Sequence, residues 1–172
     1  ECRLGIMAKG SGMIHPNMAT MLAFVTTDVN ISPAMLKQAL SEVVQDTFNM
    51  VSVDGDTSTN DMLSIMANGA AQNEAITCEN EAYQLFKKAL YDVCVAASRA
   101  MAKDGEGATK LLTAVVTQAP DVKTAKIAAK SVITSSLFKA AMFGKDANWG
   151  RILCALGYCE ADFDITKVDV TF

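Results

Sequence analysis

Along the first third of the chain, apolar positions gather in short runs separated by polar, glycine-containing breaks. Residues 3–8 form one such run, and Lys9-Gly10-Ser11-Gly12 interrupts it, which predicts a strand entering a flexible loop that continues through Pro16 and Asn17. Residues 20–27 (TMLAFVTT) are rich in β-branched and aromatic side chains and carry no charge, the pattern of a strand buried on both faces, with Thr20 as its first residue. The pattern then changes period. Ser32 is a good N-cap, Pro33 fits the first helical position, and apolar residues at 36, 39, 40, 43 and 44 recur at helical spacing, so a helix is predicted over about 33–47. A polar loop at 53–61 precedes a strand at 62–67, and a long helix is predicted over 79–103, with an acidic start and a basic end that suit the helix dipole.

In the remainder, residues 111–117 read as a β-branched strand and Asp121 caps a helix reaching about residue 131. The run from there to Phe143 fits either an extended or a helical state. A turn at 144–146 follows, then a short helix capped by Asn148 through Gly157, and residues 164–172 alternate as the start of a last strand. Strands alternating with single helices indicate a layered α/β class. There is no internal repeat.

Composition narrows the function classes. Of 172 residues 51% are hydrophobic and 20% charged, an ordinary globular balance. The formal net charge of -4 gives no basic footprint for nucleic acid or an anionic membrane, so neither is expected as a partner. No apolar run approaches the roughly 20 residues of a transmembrane helix, and no signal peptide opens the chain, so a cytoplasmic location is expected. Five cysteines, odd in number and sparse, fit reduced thiols, and a single His without a C-x-x-C pair argues against zinc. A chain that opens at Glu1 and ends inside a strand-like segment reads as a piece of something longer.

Familiar nucleotide and calcium templates fail. Gly10 and Gly12 lack the third glycine of a dinucleotide fingerprint, and no G-x-x-x-x-G-K-[ST] occurs. Asp54, Asp56, Ser58 and Asn60 have the spacing of calcium-loop ligands, but Thr59 stands where that loop needs glycine and no Glu closes it. Taken singly, Lys9 reads as a solvated loop lysine, Glu106 as an exposed helix-stop residue, Thr20 as a β-former, His15 as a loop residue and the methionines as core.

Four strings in one order change this picture: KGSGMIHPNMATMLAF from Lys9, VDGDTSTND from Val53 to Asp61, GEGATK from Gly105 to Lys110, and FGKDANWGR from Phe143 to Arg151. Together they strongly resemble the ornithine acetyltransferase family, also called glutamate N-acetyltransferases, over nearly the whole chain. The family usually carries Pro where Ala147 stands, and often Ala at the position of His15. The string around Asn148 and Trp149 reads equally as substrate wall and as a capped helix start.

The resemblance implies self-cleavage between Ala19 and Thr20, which makes Thr20 the first residue of a β-subunit and supplies both a hydroxyl nucleophile and a free amine to serve as its base. It implies acetyl transfer from N-acetylornithine to glutamate through an acetyl-Thr20 intermediate, a step of arginine biosynthesis. Lys9 and Glu106 match substrate-contacting residues, Lys9 suiting a substrate carboxylate and Glu106 the cationic amine of ornithine or a proton transfer. No metal or bound cofactor is implied, though acetyl-CoA is a co-substrate in bifunctional members. The implied fold is a layered α/β sandwich resembling the N-terminal-nucleophile hydrolases with different connectivity. Residues 1–19 would end the α-subunit, 20–160 form the β-subunit sandwich, and 161–172 begin a smaller C-terminal domain. The partners implied are the chain's own α-subunit segment, in an α2β2 heterotetramer. The oxyanion-hole pair and further substrate contacts lie outside the chain, which makes it a partial precursor, inactive alone. The alternatives are an amidase or aminopeptidase of similar fold and a non-catalytic assembly subunit.

Overall fold

The structure, a computed structural model, describes residues 1–15, 21–57 and 59–172. Two compact units divide the chain, residues 1–106 and 107–172.

The first unit is a three-stranded sheet with a helical layer. Strand β1 (Leu4–Lys9) pairs antiparallel with β2 (Leu22–Thr27), which pairs parallel with β3 (Met62–Ala67), giving the order β1-β2-β3. Parallel neighbours need a crossover, and helix α1 (Pro33–Gln45) with a 3-10 turn at Phe48–Met50 supplies it between β2 and β3. Helix α1 starts as the sequence dictates: Ser32 accepts a hydrogen bond from the Met35 N–H, and Pro33 occupies the first turn. Helix α2 (Glu81–Lys103) is capped by Asn80, whose Oδ1 accepts from the Tyr83 N–H at 2.9 Å.

Strand alternation determines which face is covered. Ala23, Val25 and Leu63 point into a core shared with Met35, Ala39 and Val43 of α1, Phe48, and Tyr83, Phe86, Leu90 and Cys94 of α2. The opposite face behaves differently from the two-sided burial predicted for residues 20–27. Leu22 and Phe24 on β2 and Met62 and Met66 on β3 are exposed there. Both helices of this unit pack into the core on the Ala23 and Val25 side, and no described element of this unit covers the Leu22 and Phe24 side. The expected start of the strand at Thr20 lies outside the described residues.

In the second unit, α3 (Val122–Thr134), α4 (Ser136–Phe143) and α5 (Trp149–Gly157) pack around Ala128, Val132, Phe138, Ala155 and Leu156. The ambiguous run before Phe143 is therefore helical, and Ser135 divides it, ending α3 while its Oγ caps α4 through the Phe138 N–H. Two predicted strands do not form. Residues 111–117 have no strand partner among the described residues, and a β-branched pattern without a hydrogen-bonded neighbour is only an extended segment. In residues 164–172, the Asp164 carboxylate accepts from the Thr166 N–H at 3.0 Å and from its hydroxyl at 2.6 Å, folding Ile165–Lys167 into a 3-10 turn instead.

The α/β layering expected from the sequence is the observed class. No helix among the described residues is long and apolar enough to cross a membrane. Cys94 is fully buried on α2, and burial pushes its thiol up to about 11. At pH 8 it is expected to resist alkylation in the folded protein and to react on unfolding, as read by mass spectrometry of iodoacetamide-treated samples.

Candidate functional site

The strand register brings three chain segments to one end of the sheet. Lys9 is the last residue of β1, and its partner is Leu22, the first of β2, which in turn faces Met62, the first of β3. Lys9 therefore belongs to a strand end and not to the loop its sequence suggested. Directly opposed residues of an antiparallel pair share a face, so Lys9 and Leu22 stand on the same, exposed side of the sheet.

The loop leaving β1 is tied to the loop entering β3. Ile14 is fully buried; its N–H donates to Asp54 Oδ1 at 3.2 Å, and its carbonyl accepts from the Val53 N–H at 2.6 Å. His15 Nδ1 lies 3.0 Å from Ser52 Oγ, and the His15 carbonyl accepts from the Thr57 hydroxyl at 3.1 Å. These bonds give His15 a structural setting on the loop. Asp54 Oδ1 also accepts from the Asp56 N–H at 2.9 Å, so this acidic turn is organised by its own backbone. Among the described residues, no group of three or more His, Cys, Asp or Glu side chains is arranged to hold a metal ion.

The end of α2 closes over the same loop. The Glu106 N–H donates to the Ser11 carbonyl at 3.1 Å. A Cβ added at Gly12 would come within 2.6 Å of Glu106 Oε2, and one added at Gly105 would come within 3.0 Å of Val53 Cγ1. A side chain at Gly12 would displace the Glu106 carboxylate from its place beside the loop, and one at Gly105 would crowd Val53. Glu106 itself is exposed, as Lys9 is. The third expected residue, Thr20, and the expected scission point at Ala19 lie outside the described residues.

One residue of this region carried no assigned role in the sequence reading. Asp61 closes the Asp-rich string, and its Oδ1 accepts a hydrogen bond from the Met21 N–H. Burial pushes its carboxyl above the usual range, while the Met21 hydrogen bond acts in the opposite sense. The available signal was its position: the string ends in an acid immediately before a strand. The run around Asn148 and Trp149 belongs to the other unit, where Asn148 Oδ1 accepts from the Arg151 N–H at 3.1 Å as the cap of α5, and Trp149 is exposed.

Comparison with known proteins sets this geometry in a family. The family model described as "ArgJ family" matches residues 1–172. The arginine biosynthesis bifunctional protein ArgJ 1 of Clostridium acetobutylicum is 61% identical over 166 residues, covering 96% of this chain and 41% of that protein. The ArgJ bifunctional protein of Caldanaerobacter subterraneus is 55% identical over 163 residues, covering 95% of this chain and 40% of that protein. A crystal structure of the ArgJ bifunctional protein from Bacillus halodurans superposes with a TM-score of 0.79 at 48% identity, over 82% of this chain and 66% of the other. The chain thus spans about two fifths of the length of the curated relatives it matches. With the family model matching from end to end, the chain belongs to the ArgJ family.

Proposed function

We infer that this chain carries the nucleophile segment of an acetyltransferase that moves an acetyl group from N-acetylornithine to glutamate in arginine biosynthesis. The observation that supports the reading is the meeting, at one sheet end, of Lys9, the start of β2 two residues beyond Thr20, and the Gly10–His15 loop over which Glu106 lies. The names of the relatives, arginine biosynthesis bifunctional proteins, agree with it.

In this reading the precursor cuts itself between Ala19 and Thr20. The Thr20 hydroxyl then attacks the acetyl carbonyl of N-acetylornithine, and the freed Thr20 amine takes the hydroxyl proton. Collapse of the tetrahedral adduct breaks the bond to the ornithine nitrogen, which receives that proton and leaves. The α-amine of glutamate attacks the resulting acetyl ester, and the Thr20 oxygen departs with a proton, restoring the enzyme. Lys9 holds the carboxylate that both amino acids carry, and Glu106 holds the side-chain ammonium of ornithine. Acetyl-CoA serves as a second acetyl donor if the protein is bifunctional as its relatives are named.

The chain is then part of a precursor, with residues 1–19 ending an α-subunit and residues from 20 opening a β-subunit, assembled as an α2β2 heterotetramer in the cytoplasm. Oxyanion donors come from outside it. Because losing one such donor costs about 10²–10³ in rate, the segment by itself is inactive.

Intact-protein mass spectrometry of the complete precursor tests the reading. The expected result is two pieces divided at Ala19/Thr20, with one acetyl group on the Thr20 peptide after N-acetylornithine is added, discharged by glutamate. Discharge at an equal rate without any amino-acid acceptor would make the enzyme a hydrolase. An uncut chain without the adduct would leave only an assembly role.

A further inference from the structure

Gly12 lies against the side chain of Glu106. The three described atoms nearest to a Cβ built at Gly12 all belong to that side chain: Oε2 at 2.6 Å, and Cβ and Cδ at 3.6 Å. The two carbons are at ordinary contact, but non-bonded carbon and oxygen settle no closer than about 3.3 Å, so a methyl group at residue 12 would drive Oε2 back by about 0.7 Å. The backbone itself admits a side chain there, since Gly12 is outside the left-handed region. The neighbouring glycines differ. A Cβ at Gly10 would press on the core side chains Met101, with Sδ at 2.8 Å, and Ile14, with Cδ1 at 2.9 Å, and one at Gly105 would meet Val53. Those two glycines serve packing, and Gly12 serves Glu106. The Glu106 backbone is tied to the same loop through its N–H and the Ser11 carbonyl at 3.1 Å. Its carboxylate makes no hydrogen bond or ion pair among the described residues, so it is uncommitted.

We propose that Gly12 is a specificity-determining residue: its missing side chain seats the Glu106 carboxylate where that group selects an amino acid with a cationic side chain over one with an anionic side chain. This rests on the reading of Glu106 as the group that holds the side-chain ammonium of ornithine. A charge-assisted hydrogen bond requires its heavy atoms at about 2.7–2.9 Å, so a carboxylate drawn back by a fraction of an ångström loses much of it. Glutamate ends in a carboxylate, which gains nothing from Glu106 and is repelled by it. Retreat of the Glu106 carboxylate therefore weakens one substrate and spares or favours the other, and specificity is the difference between the two.

The test compares wild type, Gly12→Ala, Glu106→Ala and the double variant in the complete precursor, reading kcat and KM separately for N-acetylornithine and for glutamate. In Gly12→Ala, KM for N-acetylornithine rises roughly 5–20-fold with kcat within about twofold, the pattern of lost ground-state binding, and KM for glutamate stays level or falls. A general distortion of the loop would raise both KM values together. In the Glu106→Ala background no carboxylate remains to be displaced, so adding Gly12→Ala changes KM by less than about twofold. An unchanged KM in Gly12→Ala, a parallel rise for both substrates, or additive effects in the double variant would overturn the proposal. So would a Gly12→Ala chain that fails to fold, read by alkylation of Cys94, because the clash falls on the tip of one flexible side chain. If wild type binds neither ornithine nor N-acetylornithine, the functional reading fails and takes the specificity role with it. The carbon-13 resonance of the Glu106 carboxyl, identified by its loss in Glu106→Ala, still reports separately whether a side chain at residue 12 displaces that group.

Discussion

Thr20→Ala is expected to yield a precursor that stays in one piece and forms no acetyl adduct, with acetyl transfer reduced roughly 10⁶-fold, the scale on which removing the nucleophile disables a covalent hydrolase. Under the proposed function both losses have one cause: scission would need the Thr20 hydroxyl to attack the Ala19 carbonyl, shifting the acyl group from nitrogen to oxygen before water releases it, and transfer would need the same hydroxyl again, assisted by the amine that scission exposes. Thr20→Ser keeps the hydroxyl and should retain both activities at lower rates. The folded state of each variant is checked independently by the resistance of Cys94 to alkylation, since that thiol lies in the core of the first unit. A Thr20→Ala precursor that still divides at residue 19, or still turns over N-acetylornithine, would move the nucleophile elsewhere.

The largest effect on stability is expected from Phe48→Ala. Phe48 is fully buried in the 3-10 turn between α1 and β3, in the same cluster as Val25, Val43 and Leu90. Truncation removes the whole aromatic ring from water-free packing and leaves a cavity that neighbours fill only in part, a loss of about 3–5 kcal/mol. Against a typical total of about 5–15 kcal/mol for a domain, that is a large fraction. Urea unfolding followed by tryptophan-independent circular dichroism should show a lower midpoint at an unchanged slope. Phe48→Leu, which keeps much of the volume, should cost less. A change below about 1 kcal/mol for the alanine variant would mean that the turn, and not the ring, organises this part of the core.

Much of the fold was legible because its signals are local. Ser32 with Pro33, Asn148, and the 62–67 run all form the elements their patterns predict, since caps and strand alternation act through neighbours in sequence. Lys9 and Glu106 were singled out through the strings around them. The sequence did not show that Lys9 ends a strand opposite Leu22, because where a strand stops depends on how far its partner extends. Nor did it reveal Asp61, whose distinction is a hydrogen bond to a residue forty positions away.

What the sequence determined by itself is the family and the helices and strands of residues 1–106, through long motif strings, capping residues and hydrophobic periodicity that need no distant partner. The tertiary structure decided the rest. It left one face of β2 open where a run of apolar residues suggested two covered faces, and it denied residues 111–117 a strand for want of a neighbour. It also drew the loops at 10–15, 51–57 and 104–106 to the same sheet end, through hydrogen bonds that join residues far apart in the chain. Burial and non-local pairing are properties of the packed chain, and no reading along a single strand of sequence contains them.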